Sequence, residues 1–312
     1  MKRKVVKHGP STLIISLPST WVKKYGVKQG DELDVDVEES RIIIDSKKER
    51  SMPEVTLDVS SLDDNLIRRF LVGAYQRGYD KLNIKFGDEK QFLPIQKKIP
   101  EFLGFEVMDR TNKSCTIQSI AKNLDIDFQN ALRKAFLIVK SMVDTTYHAF
   151  SKGDNDTLKN LYYKDYDVNK LCYFCLRNIN KQSYIGLDKF EGTHILYLLI
   201  ENLESLGDSY KVLSRVLSTF KQDKDIIIIL EKLTAYFDLS YEFFYNPDKN
   251  KIIKALKTDH EILKLIKEAT KNAIKRKQQQ KMYVLYLLHD IVHSIYKFPS
   301  RRINTLKELK IK

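Results

Sequence analysis

A row of acidic side chains in the C-terminal part of the chain has the spacing of a cation-binding face. Glu201, Glu204 and Asp208 recur at i, i+3 and i+7, so on a helix they lie within about 60° of one another, opposite a leucine stripe. Such a row can bind a metal ion, but more often it is a solvated face, here with Lys211 and Arg215 as partners. The residues alone leave both interpretations open.

Two further pairs have the spacing of metal ligands, but their surroundings favour packing. His289 and His293 stand at i, i+4 on a helix that is apolar nearly all round, so we predict buried or interface histidines. Cys172 and Cys175 form one C-x-x-C inside a helical pattern without a second pair, which favours a core position. No nucleophile with a base and no cofactor loop can be assembled from the sequence, so we predict that the protein is not an enzyme.

The net charge of +13 is unevenly distributed. Residues 1–30 contain seven basic side chains and no acid, whereas residues 31–49 contain eight acids and three basic side chains. From residue 246 onward, seventeen basic residues face six acids. A basic surface favours phosphate-rich partners such as nucleic acid or anionic lipid, and the charge alone does not choose between them.

The first fifty residues must position the N-terminal basic side chains. "TLIISL" predicts a strand, Pro18 and Gly26 bound a short helix ending near Tyr25, and "VKQGDELDVDV" and "SRIIID" predict two more β segments. So small a unit has little interior of its own. Its apolar faces therefore need a second copy, or the strands extend a larger sheet of the same chain.

Residues 4–35, centred on "SLPSTWVKKYGVKQGDELDV", resemble the AbrB/SpoVT family of swapped-hairpin DNA-binding domains. The resemblance implies a domain over residues 1–48, an obligate homodimer whose hairpins interleave into one β-barrel, and double-stranded DNA as the partner. It also implies these DNA-facing residues: Arg3, Lys4, Lys7, His8, Lys23 and Lys24. Arginine is scarce among them, which predicts mostly backbone contacts and modest sequence discrimination.

Residues 46–55, "SKKERSMPEV", are polar and predict a linker. Residues 53–120 then follow a β-α-β-α-β-β order, with a helix capped by Gly78 and a hairpin about Thr111 and Asn112, which predicts a small α+β connector domain. From 121 to 312 the pattern is helical, in two sets of three. The predicted helices span residues 125–152, 155–181, 190–220, 223–245, 250–279 and 281–298.

"LYLLIENLESLGDSYK" and "KDYDVNKLCYFCLRNI" resemble the PhoU family of phosphate-uptake regulators, whose three-helix repeats carry E/D-x-x-x-D motifs that hold iron or zinc. Glu204 to Asp208 fits that motif, whereas Asn169 stands where an acid is expected, with Asp167 as a substitute. The resemblance implies an iron or zinc site at these residues: Glu201, Glu204, Asp208, Asp165 and Asp167.

Together these observations predict an α+β multidomain protein: a dimeric swapped-hairpin barrel, an α+β connector and an all-α PhoU-like bundle. From the two resemblances we expect a transcriptional regulator of phosphate uptake. We expect it in the cytoplasm, because the sequence shows neither a signal peptide nor an apolar run long enough to span a membrane. The alternative is a signalling adaptor that dimerises through the barrel and docks on a phosphate transporter or a histidine kinase.

Overall fold

The computed structural model describes residues 2–38, 41–46, 53–120, 127–181 and 193–305. It divides the chain into two compact units, Met1–Met52 and Pro53–Lys312. The first boundary falls within the predicted linker. The second predicted boundary, between residues 120 and 121, adjoins residues 121–126, which lie outside the described residues, so the division into three domains stays a prediction.

The first unit consists of two antiparallel hairpins and one short helix. Its strands are β1 (Val6–His8) paired with β2 (Thr12–Ile14), and β3 (Asp34–Glu38) paired with β4 (Arg41–Asp45). β1 is absent from the predicted elements, because a three-residue strand carries too little periodicity to be recognised. The other three strands and the helix are at the positions that the sequence predicts.

Helix α1 (Ser19–Tyr25) has the two end signals read from the sequence. Pro18 is its N-cap, and Gly26 ends it with a left-handed φ of 59°. The Val27 N–H donates to the Val22 carbonyl at 3.0 Å, a contact that closes the last turn of the helix. The positive φ explains why glycine is needed at this position.

The second unit opens with a four-stranded mixed sheet. The predicted β-α-β-α-β-β order is present, and the strand order is β5-β6-β8-β7, with β5 and β6 parallel and the other neighbours antiparallel. The elements are β5 (Glu54–Asp58), α2 (Asp64–Gln76), β6 (Lys81–Lys85), α3 (Phe92–Lys98), β7 (Phe105–Arg110) and β8 (Ser114–Ser119).

The remainder is helical, and one predicted helix is wrong. Residues 155–181 form two helices, because the chain turns at the buried Leu161; the apolar pattern runs through this position and gives no sign of the break. The helices are α4 (Phe128–Lys152), α5 (Asn155–Asn160), α6 (Tyr162–Lys181), α7 (Thr193–Leu217), α8 (Lys224–Tyr245), α9 (Lys249–Lys275) and α10 (Gln279–Ile303).

The long helices pack as two sets of three. α4, α6 and α7 contact one another, as do α8, α9 and α10, and the pairs α4–α8 and α7–α10 join the sets. One apolar core fills this bundle, and a second core lies under the sheet. Tyr173 of α6 belongs to the sheet's core, so α6 connects the two parts of the second unit.

Candidate nucleic-acid interface and a buried ionic network

The six basic residues predicted to face DNA are all exposed. Arg3 and Lys4 precede β1, and Lys7 and His8 belong to it. Lys23 and Lys24 lie in the last turn of α1. Because none of these side chains is buried, each can approach a phosphate from solvent.

The α1 lysines also have a local role. The Lys24 ammonium lies 5.3 Å from the centroid of the Tyr25 ring, and the Trp21 and Tyr25 rings lie 5.4 Å apart. A cation in the last turn of a helix interacts favourably with the helix dipole. These contacts order the helix end while both ammonium groups stay exposed.

The strands of the first unit carry apolar side chains that are not buried. Val6 stands opposite Ile14 in the first hairpin, and Val37 stands opposite Ile42 in the second. Their exposed fractions are 56%, 46%, 74% and 66%. Among the described side chains of residues 2–46, only Ser46 is buried, so this unit lacks a core of its own.

In the helical part, two of the predicted metal-binding carboxylates are joined by a lysine. The Lys211 ammonium donates to Asp165 Oδ2 at 2.6 Å and to Asp208 Oδ1. Asp165 is 4% exposed, and Asn169 donates to the same Oδ2 at 3.4 Å. These residues form an ion-paired cluster between α6 and α7, in which the Lys211 ammonium is the cation.

Glu204 belongs to a second, partly buried chain of contacts, which also involves α6 and α7. The Tyr173 hydroxyl donates to Glu204 Oε1 at 3.2 Å, and the Lys98 ammonium donates to the Tyr173 hydroxyl at 3.4 Å and to Glu101 at 2.7 Å. Glu204 is therefore half-buried and faces α6, so it lies neither fully in solvent nor in a set of metal ligands. Glu204 can face α6 because the hydroxyl group of Tyr173, on α6, donates a hydrogen bond to its carboxylate where the two helices meet.

Burial changes the acidity of these carboxyls. It raises the pKa of Glu204 to about 7, with the nearby Asp208 charge adding to the effect and the Tyr173 hydrogen bond opposing it. Burial also raises the pKa of Asp165 to about 6, although Lys211 opposes this rise. Both groups change charge near neutral pH.

The five predicted metal-binding residues do not come together as one set. Glu201 and Asp167 are exposed, and within the described ranges no group of three or more His, Cys, Asp or Glu side chains is placed to hold a metal ion. The Lys211 ammonium pairs with the carboxylates of Asp165 and Asp208, so a metal ion bound between them would have to displace it. Metal binding at these residues stays a prediction.

Sequence reasoning finds one partner of this network, Lys211, and misses two others, Tyr173 and Lys98. Lys211 was recognisable as a partner of Asp208 because it follows at i+3 on one helix. Tyr173 and Lys98 carry no such signal, because their contacts with Glu204 and with each other join segments distant in sequence. Only the packing of α6 against both cores brings them together.

The cysteine pair occupies the core, as predicted. Cys172 and Cys175 are fully buried and unpaired. Burial raises the pKa of both thiols well above the usual range, which keeps them protonated. Protonated, buried thiols are poor metal ligands and poor nucleophiles.

The histidine pair is not buried within the chain, and its predicted alternative, a position at an interface, stays a prediction. His289 and His293 lie on the exposed face of α10, with their Nε2 atoms 3.2 Å apart. Tyrosines occupy much of the exposed face of this helix, and their hydroxyl groups can remain in water; Tyr286 is 63% exposed.

Residues 6–53 match the family described as "Antidote-toxin recognition MazE, bacterial antitoxin". The chain therefore carries a MazE/AbrB-type antitoxin domain at its N-terminus, which agrees with the resemblance read from residues 4–35. The match identifies this domain and not the rest of the chain. No curated protein and no solved structure matches the chain. Within the described residues, no helix is long and apolar enough to cross a membrane.

Proposed function

We propose that this protein is a DNA-binding transcriptional regulator that acts as a homodimer through its N-terminal domain. The observation that carries the proposal is the MazE/AbrB-type domain over residues 6–53. Domains of this type typically dimerise and bind DNA. The cytoplasm, where DNA is accessible, is the compartment that this function requires.

Two features of the first unit support this function. The exposed valines and isoleucines of both hairpins need a cover, and a second copy supplies an equally apolar one. The exposed basic side chains supply the charges that phosphate neutralisation needs. Lysine makes less specific contacts with bases than arginine does, so the proposed dimer holds DNA mainly through its backbone.

The test is selection of genomic DNA fragments by the purified full-length protein, followed by titration of a retained fragment at several salt concentrations. We expect wild-type affinity to fall linearly with salt on logarithmic axes. Lys23→Glu/Lys24→Glu should abolish most of the binding, and Lys23→Gln/Lys24→Gln should reduce the salt slope by about one for each phosphate that is no longer neutralised.

Lys90→Glu/Lys97→Glu is the matched control, since it changes the net charge equally at two exposed lysines of the second unit. If Lys90→Glu/Lys97→Glu binds DNA as wild type does while Lys23→Glu/Lys24→Glu does not, the DNA-binding surface is assigned to α1. Equal retention of all fragments by wild type and Lys23→Glu/Lys24→Glu would reject DNA reading by this domain and favour the adaptor function.

We further propose that the helical part adjusts DNA binding to phosphate status. The basis is the resemblance of residues 121–312 to PhoU regulators, which rests on the sequence; the packing of the long helices as two sets of three is compatible with it. The signal must bind the two conformations of the dimer with different affinity. Enrichment of fragments next to phosphate-transport genes would support this role, and enrichment elsewhere would reject it while leaving DNA binding intact.

A further inference from the structure

The histidine pair on α10 has the geometry of a shared metal ligand set. The Nε2 atoms of His289 and His293 lie 3.2 Å apart, and the ring centroids lie 4.5 Å apart. Two imidazole nitrogens bound tetrahedrally to one zinc ion, at about 2.0–2.1 Å each, are separated by about 3.3 Å. The separation of the two nitrogens is therefore the one that binding of a shared cation requires.

The helix holds this pair in place. α10 buries its opposite face, including Leu288, Ile291 and Val292, in the bundle core. The Asn202 side chain of α7 donates to the Ser294 carbonyl at 2.8 Å, one residue from His293. The backbone that carries both rings is thus fixed, and little order remains to be imposed when a metal binds.

The pair is also accessible and separate from the ionic network. Both histidines are exposed, and neither contacts the cluster around Lys211. The three cysteines are buried, so they do not compete for a soft metal. Without a metal, one Nε2–H can donate to the other Nε2, and a cation replaces that proton.

We propose that His289 and His293 bind one divalent transition-metal ion, of the zinc or copper class, through their Nε2 atoms. Imidazole nitrogen suits zinc, copper and nickel, and the i, i+4 spacing places both donors on one face of the helix. Two protein ligands leave the remaining positions of the ion open for water or for a ligand from another molecule. The site is independent of the proposed DNA contact.

Equilibrium dialysis of the full-length protein against zinc chloride, and separately against copper chloride, tests the site. We expect one ion per chain with the higher affinity for copper. His289→Ala and His293→Ala should each weaken binding about tenfold or more, since loss of a ligand costs at least as much as loss of an outer-shell partner. His260→Ala removes an exposed histidine of α9 and should leave binding unchanged.

A spacing control separates a chelating pair from histidine content. The variant Tyr286→His/His289→Ala keeps two histidines on the exposed face of α10, but it places them seven residues, or about 10.5 Å, apart, too far to share an ion. We expect it to bind as weakly as His289→Ala. Wild-type affinity in this variant, or in His289→Ala/His293→Ala, would overturn the proposal. Circular dichroism of each variant confirms that the bundle is folded.

Discussion

Burial of the Glu204 carboxyl couples its protonation to folding. Its pKa rises from an ordinary value of 4.5 to about 7 in the folded chain. Between these values the folded state keeps a proton that the unfolded state has lost, so this group's contribution to the free energy of unfolding falls as the pH rises. The penalty is absent below the unfolded pKa and complete above about 7.

Glu204→Gln should remove that penalty, because glutamine keeps the neutral form at every pH. We expect the variant to exceed wild type in free energy of unfolding by about 2 kcal/mol at about pH 8, after allowance for partial exposure, and to equal it near pH 4.5. Urea unfolding at both pH values measures the difference. Glu201→Gln, one turn earlier and exposed, is the control and should show no such dependence.

Lys211 neutralises a carboxylate that is otherwise surrounded by protein. Lys211→Met leaves Asp165 buried beside Asp208 without a cation, so we expect a loss of about 2–4 kcal/mol at neutral pH. Asp165→Asn/Lys211→Met removes both charges and should recover most of that loss. Urea unfolding of Lys211→Met, of Asp165→Asn and of the double variant gives the coupling energy. Additive losses would contradict the ion pair as the source of the effect.

At the scale of elements, Arg177 links α6 to the C-terminal end of α2 through hydrogen bonds and an ion pair. Its guanidinium donates to the carbonyls of Tyr75 and Tyr79 at 2.8 Å each and pairs with Asp80, while it is 6% exposed. It also lies over the Tyr75 ring. The sheet and the bundle are therefore joined by polar contacts as well as by Tyr173.

Arg177→Met should destabilise the second unit by about 2–3 kcal/mol, since the carbonyls of Tyr75 and Tyr79 lose a charged donor, while Asp80 loses the guanidinium and keeps Lys181. Arg177→Lys should recover only part of this, because an ammonium lacks the planar fork that reaches all three acceptors. Lys159→Met breaks an exposed ion pair and should cost less than about 1 kcal/mol. Urea unfolding ranks the three variants, and equal losses would contradict the ranking.

The elements were more predictable than the site. Alternating strands, the Gly78 cap and helix periodicity follow local rules, so the β-α-β-α-β-β order and most helix bounds are read from the sequence. The break at Leu161 and the inward turn of Glu204 depend on tertiary contacts, because a buried side chain satisfies the apolar pattern in either arrangement. Periodicity places a residue on a face, but the neighbouring element decides what covers that face.

At the scale of the whole molecule, the two units have different means of stability. The second unit has two apolar cores, whereas no described apolar side chain of the first is buried. A two-stranded hairpin is marginally stable in water by itself. The first unit is therefore expected to fold as part of an assembly, so the proposed DNA contact should depend on the oligomeric state.

Charge placed on the exposed strand pair tests that dependence. Val37 and Ile42 face each other across β3 and β4 and are 74% and 66% exposed. If a second copy covers them, Val37→Glu/Ile42→Glu buries two like charges per chain in an apolar contact, a cost of several kcal/mol. We expect light scattering after size exclusion to give twice the chain mass for wild type and the chain mass for the variant, with DNA binding abolished in parallel.

Ile274→Glu, at a residue of α9 that is 55% exposed, controls for an added surface charge and should remain dimeric. A variant that stays dimeric and binds DNA would show that these strands are not the contact between copies, since the charges would then lie in water.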